Sequence, residues 1–522
     1  MGRRNGDASG DHQIAVTHSS LSLLRAGPWV VWIAGAMLLW VPGAALARFF
    51  HREPDAFVQL AMELAIGIAF WPLLFLWTFG WTTLGVRIVF ALLVIAAIHR
   101  LPKTSPRFAL TFLGLFAAVI VSRALQARGL VFPAWVDSVH HAMVVRLLLA
   151  NGRVPATLDP FIPRAPFFYH WGYHALVAFV SWLTGLTDPS QLPRVMIAFG
   201  QLLNALTFVM TYAAGRVLFR SRNAGLAAAT IATLVSVMPA FYVSWGRYTQ
   251  LTGLLLLPPL LIAIWRARDV ALIALLAAGL FLVHVRVAIF AAILALIIFA
   301  VRREMKPLLA ALIATVLTSP WLLRLIATAR VPANRIVSES SLMISLFLPV
   351  SLAAGWLLVR LVPPRAVAAV LAVVAIYGVI SMRRIVNPAT VLADADDVVA
   401  MEWIRDHTPR DARFLINSME WIDGSYIGSD GGYWIPIAAD RATLVPPALY
   451  AWTLPPAEVA RINRAIELWN GFVLPDFPAT FIYTNRGRDG GRWQTIARIP
   501  SARLVYARGN VEIFAIATAR AR

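Results

Sequence analysis

The sequence contains no cysteine, only two lysines and few charged residues of any kind. The absence of cysteine excludes disulfides, thiolate metal sites and thiol nucleophiles. Of the 522 residues, 14% are charged and 59% are hydrophobic, whereas soluble globular chains are about 25% charged and about 45–50% apolar. The composition therefore excludes an ordinary soluble enzyme, a disordered chain and a fibrous protein, and it predicts a polytopic membrane protein.

Acidic residues are scarcest in the hydrophobic part of the chain. Residues 1–393 hold 11 acidic and 32 basic residues, whereas residues 394–522 hold 15 and 14. The net charge of +20 therefore comes from the hydrophobic part. Basic residues between membrane spans mark cytoplasmic loops, whereas binding to nucleic acid needs a basic face on a soluble domain. The charge thus predicts membrane orientation and argues against a nucleic-acid partner.

Apolar runs that approach the length of a membrane span recur as far as residue 381. They cover residues 29–46, 57–78, 82–98, 108–124, 195–215, 224–244, 251–266, 270–285, 287–301, 308–327, 341–360 and 365–381. A further apolar segment, 171–187, is interpreted as a juxtamembrane or re-entrant helix. We therefore predict a polytopic α-helical membrane protein with about 12–13 transmembrane helices and a small C-terminal α/β domain outside the cytoplasm.

This interpretation divides the chain into an N-terminal tail (1–28), a transmembrane domain (29–393) and a soluble domain (394–522). Five basic loops fall on one side of the predicted spans, which we take as cytoplasmic. These loops are 99–107, 216–222, 266–268, 302–306 and 360–365. The long segment 125–194 and everything after residue 382 then lie on the external face of the inner or plasma membrane.

The C-terminal 129 residues, from 394 to 522, differ in pattern from the rest of the chain. A helix is predicted over 396–406, because apolar side chains recur on one side and a proline follows its end. Alternating apolar residues predict the strands, and a cluster of glycines between residues 424 and 432 predicts a loop region. The predicted strands are 413–417, 481–484, 504–507 and 511–515.

Asp137 opens a helical segment in the long external loop. With His141 four residues later, both side chains fall on one face of the helix. A carboxylate beside an imidazole can take the proton of a hydroxyl group, and such assistance contributes roughly 10²–10⁴-fold to a rate. The structural alternative is that Asp137 caps the helix and Asn151-Gly152 ends it.

Aromatic, proline and histidine residues crowd the segment that follows, from 160 to 174. Aromatic faces and polar edges suit a sugar or a lipid headgroup. Tyr169, His170 and His174, together with His140, are therefore candidates for binding the sugar or the acceptor. The alternative is an aromatic belt at the membrane interface, which explains the tyrosines better than the two histidines.

Two more polar clusters fall on the predicted external side. One contains Arg247, Tyr248 and Gln250, and the other contains His284 and Arg286 within an otherwise apolar stretch. Charge at that depth is costly and usually faces a cavity or a partner, and arginine can hold a phosphate with two hydrogen bonds. The alternatives are a helix-end arginine whose head reaches the interface for Arg286, and a plain loop arginine for Arg247.

Known soluble-enzyme signatures are missing from the sequence. There is no Walker P-loop, no G-x-S-x-G elbow and no H-E-x-x-H pair. No second carboxylate accompanies Asp137 in its helix. We therefore predict no obligatory metal ion and no other cofactor.

The order and sidedness of these motifs resemble the GT-C superfamily of integral-membrane glycosyltransferases, especially its protein O-mannosyltransferase and aminoarabinose transferase branches. Asp137 matches the acidic residue early in the first external loop, residues 152–155 match a Gly-x-x-Pro-like ending, and 169–174 match the aromatic and histidine segment that follows. Residues 216–220 resemble the basic cytoplasmic turn, and 245–250 occupy the place of the second external loop.

This resemblance implies an enzyme that uses a polyprenyl-phosphate-linked sugar donor on the external face. Asp137, assisted by His141, would activate the acceptor. Arg247, His284 and Arg286 would be candidates for the lipid phosphate by their position. Tyr248 and Gln250 would lie among the groups that contact the sugar or the acceptor.

The tail resembles the entry to the external domain of oligosaccharyltransferase catalytic subunits, at 403–409 and 420–426. Those subunits carry a Trp-Trp-Asp-Tyr-Gly signature, where this chain reads Trp-Ile-Asp-Gly-Ser from Trp421 to Ser425. The resemblance makes Asp423 a candidate for contact with an acceptor, and the alternative is a glycine-rich loop with a purely structural role.

The sequence therefore predicts a glycosyltransferase whose acceptor is a glycan, a lipid or a protein outside the cytoplasm. The first alternative is a transporter or a flippase for lipid-linked sugars, although no paired repeat halves are visible. The second alternative is a non-catalytic scaffold whose tail binds a partner.

Overall fold

The computed structural model describes residues 27–97, 102–329 and 339–517. The predicted N-terminal tail therefore lies almost wholly outside the described residues. Seventeen helices longer than one or two turns are given labels here. They are α1 (Trp29–Leu46), α2 (Ala56–Trp77), α3 (Thr83–Ala96), α4 (Pro106–Ala127), α5 (Val136–Asn151), α6 (Gly172–Thr184), α7 (Leu192–Phe219), α8 (Arg222–Leu234), α9 (Tyr248–Trp265), α10 (Val270–Val283), α11 (Val285–Arg302), α12 (Lys306–Leu317), α13 (Ser319–Thr328), α14 (Phe347–Leu361), α15 (Pro364–Met382), α16 (Ala395–His407) and α17 (Pro456–Asn470).

Eight described helices are long and apolar enough to cross a membrane, which indicates an integral membrane protein. They are α1, α2, α4, α7, α9, α11, α15 and the segment Glu339–Leu361, in which the short helix Glu339–Met343 precedes α14. Helices α12 and α13 make a ninth span if they are counted together, although they meet at a bend of 70°. Of the about 12–13 predicted transmembrane helices, eight or nine within the described residues have the length and composition of a full span, and the predicted number itself stays a prediction.

The difference in number comes from helix length, because each of the twelve apolar runs does contain a helix. Helices α3 and α10 have 14 residues each, so each is only about 21 Å long, whereas the hydrocarbon core is about 30 Å thick. The run 224–244 forms the 13-residue α8 and then breaks into two one-turn helices. The hydropathy pattern predicted the positions of the helices, but it did not predict that some are short or that the run 224–244 is broken.

Helix α7 lies at the centre of the bundle, and its most apolar window is completely buried. Around it, α1 and α2 cross where two glycines let the backbones approach. A Cβ atom at Gly43 would overlap the carbonyl of Glu63, and one at Gly67 would overlap the carbonyl of Leu39. Small residues commonly permit such close crossings in membrane helices.

Ion pairs join two of the five basic loops, 216–222 and 266–268, to the segment before α2 at one end of the bundle, which we call the arginine end. Glu53 pairs with Arg266 and Arg268. Asp55, which also caps α2, pairs with Arg216 and Arg222. Since the chain reverses at each span, α9 begins and α10 ends at the opposite end, which we call the histidine end. That the arginine end faces the cytoplasm stays a prediction.

The tail forms a small mixed α/β fold, as predicted. Its strands are β1 (Arg413–Leu415), β2 (Ser418–Glu420), β3 (Tyr426–Gly428), β4 (Ala442–Thr443), β5 (Phe481–Asn485), β6 (Ala502–Arg508) and β7 (Val511–Ile516). Five of them form a sheet with the order β4-β1-β5-β7-β6, in which β1 is parallel to β4 and β5 and the remaining pairs are antiparallel. A separate hairpin joins β2 and β3. The predicted helix and all four predicted strands are present.

The tail packs directly onto helix α5. The Arg146 guanidinium donates to the carbonyls of Pro436 and Ile437 at 2.8 and 3.1 Å, and it pairs with Asp440 at 3.0 Å. The ring of Phe132, just before α5, lies 4.8 Å from that of Trp434. Helix α5 is therefore held between the apolar bundle and the tail.

Candidate functional site

Helix α5 begins one residue before Asp137, so the alternative interpretation, in which Asp137 caps the helix, is wrong. Trp135 precedes the helix with φ 67°, and its N–H donates to the carbonyl of Thr390 at 2.7 Å. No side chain caps this helix. Its other end agrees with the prediction, because Gly152 adopts the left-handed conformation that ends α5. The carboxylate of Asp137 is thus available for another partner.

That partner is Arg247, the residue that precedes α9. Its Nε donates to Asp137 Oδ2 at 3.1 Å, and both side chains are about one-third exposed. The guanidinium also lies over the ring of Trp245. Its two terminal nitrogens donate to none of the described residues, so the group could hold Asp137 and an anionic ligand together.

Four histidines and a tyrosine form a continuous group beside this ion pair, which we call the histidine cluster. His141 Nδ1 and His174 Nε2 are 3.0 Å apart. The ring of Tyr169 lies 4.6 Å from that of His140 and 4.0 Å from that of His170. These side chains come from α5, α6 and the loop between them, so the cluster depends on how α5 and α6 pack.

The histidines of the cluster are neutral near pH 7. Burial, followed by the neighbouring charges of His141 and Arg247 respectively, lowers the pKa of His140 and of His141 to about 3. Burial also lowers the pKa of His170 well below its usual value. A neutral imidazole has one donor and one acceptor nitrogen, which suits hydroxyl groups better than it suits charged ligands.

The hydroxyl of Tyr169 is affected both by the Asp137–Arg247 pair and by Arg286. Burial raises its pKa to about 12, and the charge of Asp137 contributes in the same direction. The charges of Arg286 and Arg247 act on the same hydroxyl in the opposite direction. The charges of Asp137, Arg247 and Arg286 thus all act on the hydroxyl of Tyr169.

Several buried polar atoms of this region have no hydrogen-bond partner among the described residues. They are both ring nitrogens of His140, Nε2 of His170, Nδ1 of His174 and the hydroxyls of Tyr173 and Tyr248. An unsatisfied buried polar group costs about 1–3 kcal/mol. Such groups call for a partner in a native protein, and either ordered water or the polar groups of a ligand would supply it.

The other candidates from the apolar stretch lie close by and have structural partners. His284 caps α11 by accepting from the N–H of Val287 at 3.3 Å, and its ring is 4.5 Å from that of His170. Arg286 donates to Ser341 Oγ at 3.4 Å. Gln250 donates to the carbonyl of Ser341 at 3.1 Å. Gln250 and Arg286 thus both donate a hydrogen bond to Ser341, beside the histidine cluster.

Of the two remaining candidates, Tyr248 lies in the bundle near Tyr173, whereas Asp423 lies in the tail. Tyr248 is fully buried, and its ring lies 6.2 Å from that of Tyr173. Asp423 lies in a turn of the tail and accepts from Trp452 Nε1 at 2.8 Å. The neighbouring Trp421 packs on Trp135 at 5.4 Å, so this turn reaches the start of α5.

Two residues of the site were not predicted. Tyr173 contacts His141 and His174 through its ring, and it belongs to the same aromatic run as Tyr169. Thr249 lies close enough to Tyr169 to lower the pKa of its hydroxyl group. Thr249 stands between Tyr248 and Gln250, so its position in that polar cluster was the available signal.

Among the described residues, no three histidine, aspartate or glutamate side chains are grouped in a way that could hold a metal ion. No protein-family model matches this chain, and no curated protein sequence matches it. The fold and the site therefore define its class: a helical integral membrane protein with a buried histidine-rich site and a small α/β domain packed against it.

Proposed function

We propose that this protein is a membrane glycosyltransferase of the GT-C type. It transfers a sugar from a polyprenyl-phosphate-linked donor to a hydroxyl group of an acceptor outside the cytoplasm. The observation that carries the proposal is the neutral histidine cluster, with its unpartnered polar atoms, beside the Asp137–Arg247 pair. Such an arrangement combines binding groups for sugar hydroxyls with a carboxylate and with cations for a phosphate.

In the proposed step, the acceptor oxygen attacks the anomeric carbon of the donor sugar. The new carbon–oxygen bond forms as the bond to the phosphate oxygen breaks, and the polyprenyl phosphate leaves with the bonding electrons. Asp137 takes the hydroxyl proton, assisted by His141, and becomes a neutral carboxylic acid. Arg247 and Arg286 offset the charge that develops on the leaving phosphate, and His284 lies beside them.

The remaining polar groups bind and orient the substrates. The neutral rings of His140, His170 and His174 exchange hydrogen bonds with sugar or acceptor hydroxyls, and Tyr169 offers a flat apolar surface to a sugar ring. Tyr248 and Gln250 bind the same substrates, and Asp423 contacts the part of the acceptor that reaches the tail. The reaction requires no metal ion or other cofactor in this proposal.

The experiment compares Asp137→Asn with Asp159→Asn in the purified full chain, reconstituted with a radiolabelled polyprenyl-phosphate sugar and envelope membranes as the acceptor source. Removing the base should lower the transfer rate about 10²–10⁴-fold. Asp159 is an exposed acid of the same external segment whose partners are Thr157 and Arg164, so its variant should retain the wild-type rate. Full activity of Asp137→Asn would refute the assigned role.

A further inference from the structure

A cavity of about 400 Å³ lies apart from the histidine cluster, at the same end of the bundle. Phe75 and Phe79 line it from the end of α2 and the loop that follows, and Trp321 lines it from α13. Arg153 and Arg324 complete the wall. The volume is within the usual range of about 300–1,000 Å³ for small-molecule sites.

Backbone hydrogen bonds hold the walls of this cavity together. The N–H of Trp81 donates to the carbonyl of Gly152 at 3.1 Å, which joins the loop after α2 to the turn after α5. Nη1 of Arg324 donates to the carbonyl of Pro155 at 2.8 Å, which joins the same turn to α13. The two arginines therefore belong to a built structure and not to free loops.

The two arginines have no acidic partner within the described residues. Arg153 is exposed, and Arg324 lies half-buried with its guanidinium 5.8 Å from the ring centre of Trp321. At the arginine end, by contrast, Glu53 and Asp55 each pair with two arginines. The cavity thus carries two uncompensated positive charges, which an anion would balance.

The surroundings of the cavity are apolar and face outward. Helix α13 turns away from α12 by 70° and exposes Leu323 and Ile326. Trp77 and Phe79 are also exposed beside it. A helix that combines exposed aliphatic residues with an arginine is typical of the membrane interface. The ligand that fits this place has an anionic head and apolar chains.

We propose that this cavity binds the phosphate headgroup of an anionic membrane lipid, with the lipid chains lying along the exposed side chains of α13. Arg153 and Arg324 hold the phosphate, and the exposed ring of Phe79 contacts the first carbons of the chains. None of the histidine-cluster residues lines this cavity, although the ring of Trp321 in its wall lies 6.0 Å from that of Trp171. The inference therefore rests on different residues from those of the proposed sugar transfer.

The test titrates the purified full-length protein in detergent with phosphatidylglycerol and counts bound lipids by native mass spectrometry. Phosphatidylcholine, which has no net charge, should bind more weakly. Since each basic residue near a membrane surface contributes about 1 kcal/mol to anionic lipid binding, Arg153→Gln and Arg324→Gln should each weaken binding about fivefold. Arg128→Gln is the matched control, because Arg128 is an exposed arginine outside this cavity.

A second variant tests whether lipid binding needs the space of the cavity or only the positive charge of the two arginines. Leu76→Trp fills the space and keeps both arginines, so it should also weaken binding. If Arg324→Gln does not fold because it loses the hydrogen bond to Pro155, Arg153→Gln carries the test, since the Arg153 side chain forms no hydrogen bond with the described residues. Equal binding by Arg153→Gln and wild type would overturn the proposal. Displacement of the lipid by millimolar inorganic phosphate would also overturn it, because the site would then recognise free phosphate.

Discussion

The start of helix α5 decides which partner the Asp137 carboxylate has. If α5 began two residues later, at Ser138, Asp137 would be the N-cap residue and its carboxylate would accept from backbone N–H groups. The unusual backbone of Trp135 starts the helix earlier, and Asp137 instead accepts from Arg247. The sequence identified both residues but could not predict this pair, because residues 110 positions apart meet only through tertiary packing.

His140 provides a test of the electrostatics at the same scale. Its pKa of about 3 in the folded protein lies below the unfolded value near 6.5, so only the unfolded state takes up a proton as the pH falls. Stability should therefore fall below about pH 6.5. Relative to His140→Phe, the wild type should lose about 1 kcal/mol between pH 7.5 and 5.5.

Unfolding of the two proteins in detergent, followed at both pH values, measures this difference. The contributions of groups that titrate in the same way in both proteins cancel in this comparison. Asp137 and His141 are the exceptions, because their charges act directly on His140. If the two proteins show the same pH dependence, His140 is not buried in its neutral form.

At the scale of elements, hydropathy predicts where helices lie better than where they bend or cross. The apolar runs matched helices throughout the bundle, because a chain in a membrane must satisfy its backbone within helices. The crossing of α1 and α2 depends on Gly43 and Gly67, whose importance is visible only once the partner backbone is known. The break between α12 and α13 likewise escaped the hydropathy pattern.

Two glycine variants test the crossing. Gly67→Ala forces α1 and α2 apart, because the new methyl group overlaps the carbonyl of Leu39, and it should destabilise the protein by about 1–3 kcal/mol. Gly114→Ala in α4 meets nothing within 4 Å and should be neutral or stabilising, since alanine favours a helix. The midpoint of thermal unfolding checks both, and equal midpoints would contradict the close crossing.

At the scale of the whole molecule, the tail and the bundle meet at the helix that carries Asp137. The composition change near residue 394 predicted the tail, and its helix and strands followed from local patterns. The contact through Arg146 was not predictable, because its acceptors are backbone carbonyls far along the chain. The charge pattern grouped the basic loops, and ion pairs with Glu53 and Asp55 hold two of them, 216–222 and 266–268, at the same end of the bundle.

The central claim is that this molecule moves a sugar and does not merely transport its carrier. The most direct measurement follows a donor labelled in both sugar and lipid through proteoliposomes that contain the full chain and an envelope acceptor. The account predicts equal amounts of glycosylated acceptor and of free polyprenyl phosphate, and neither product with Asp137→Asn. Passage of the intact donor across the bilayer, with no sugar transferred, would contradict the account and identify a flippase.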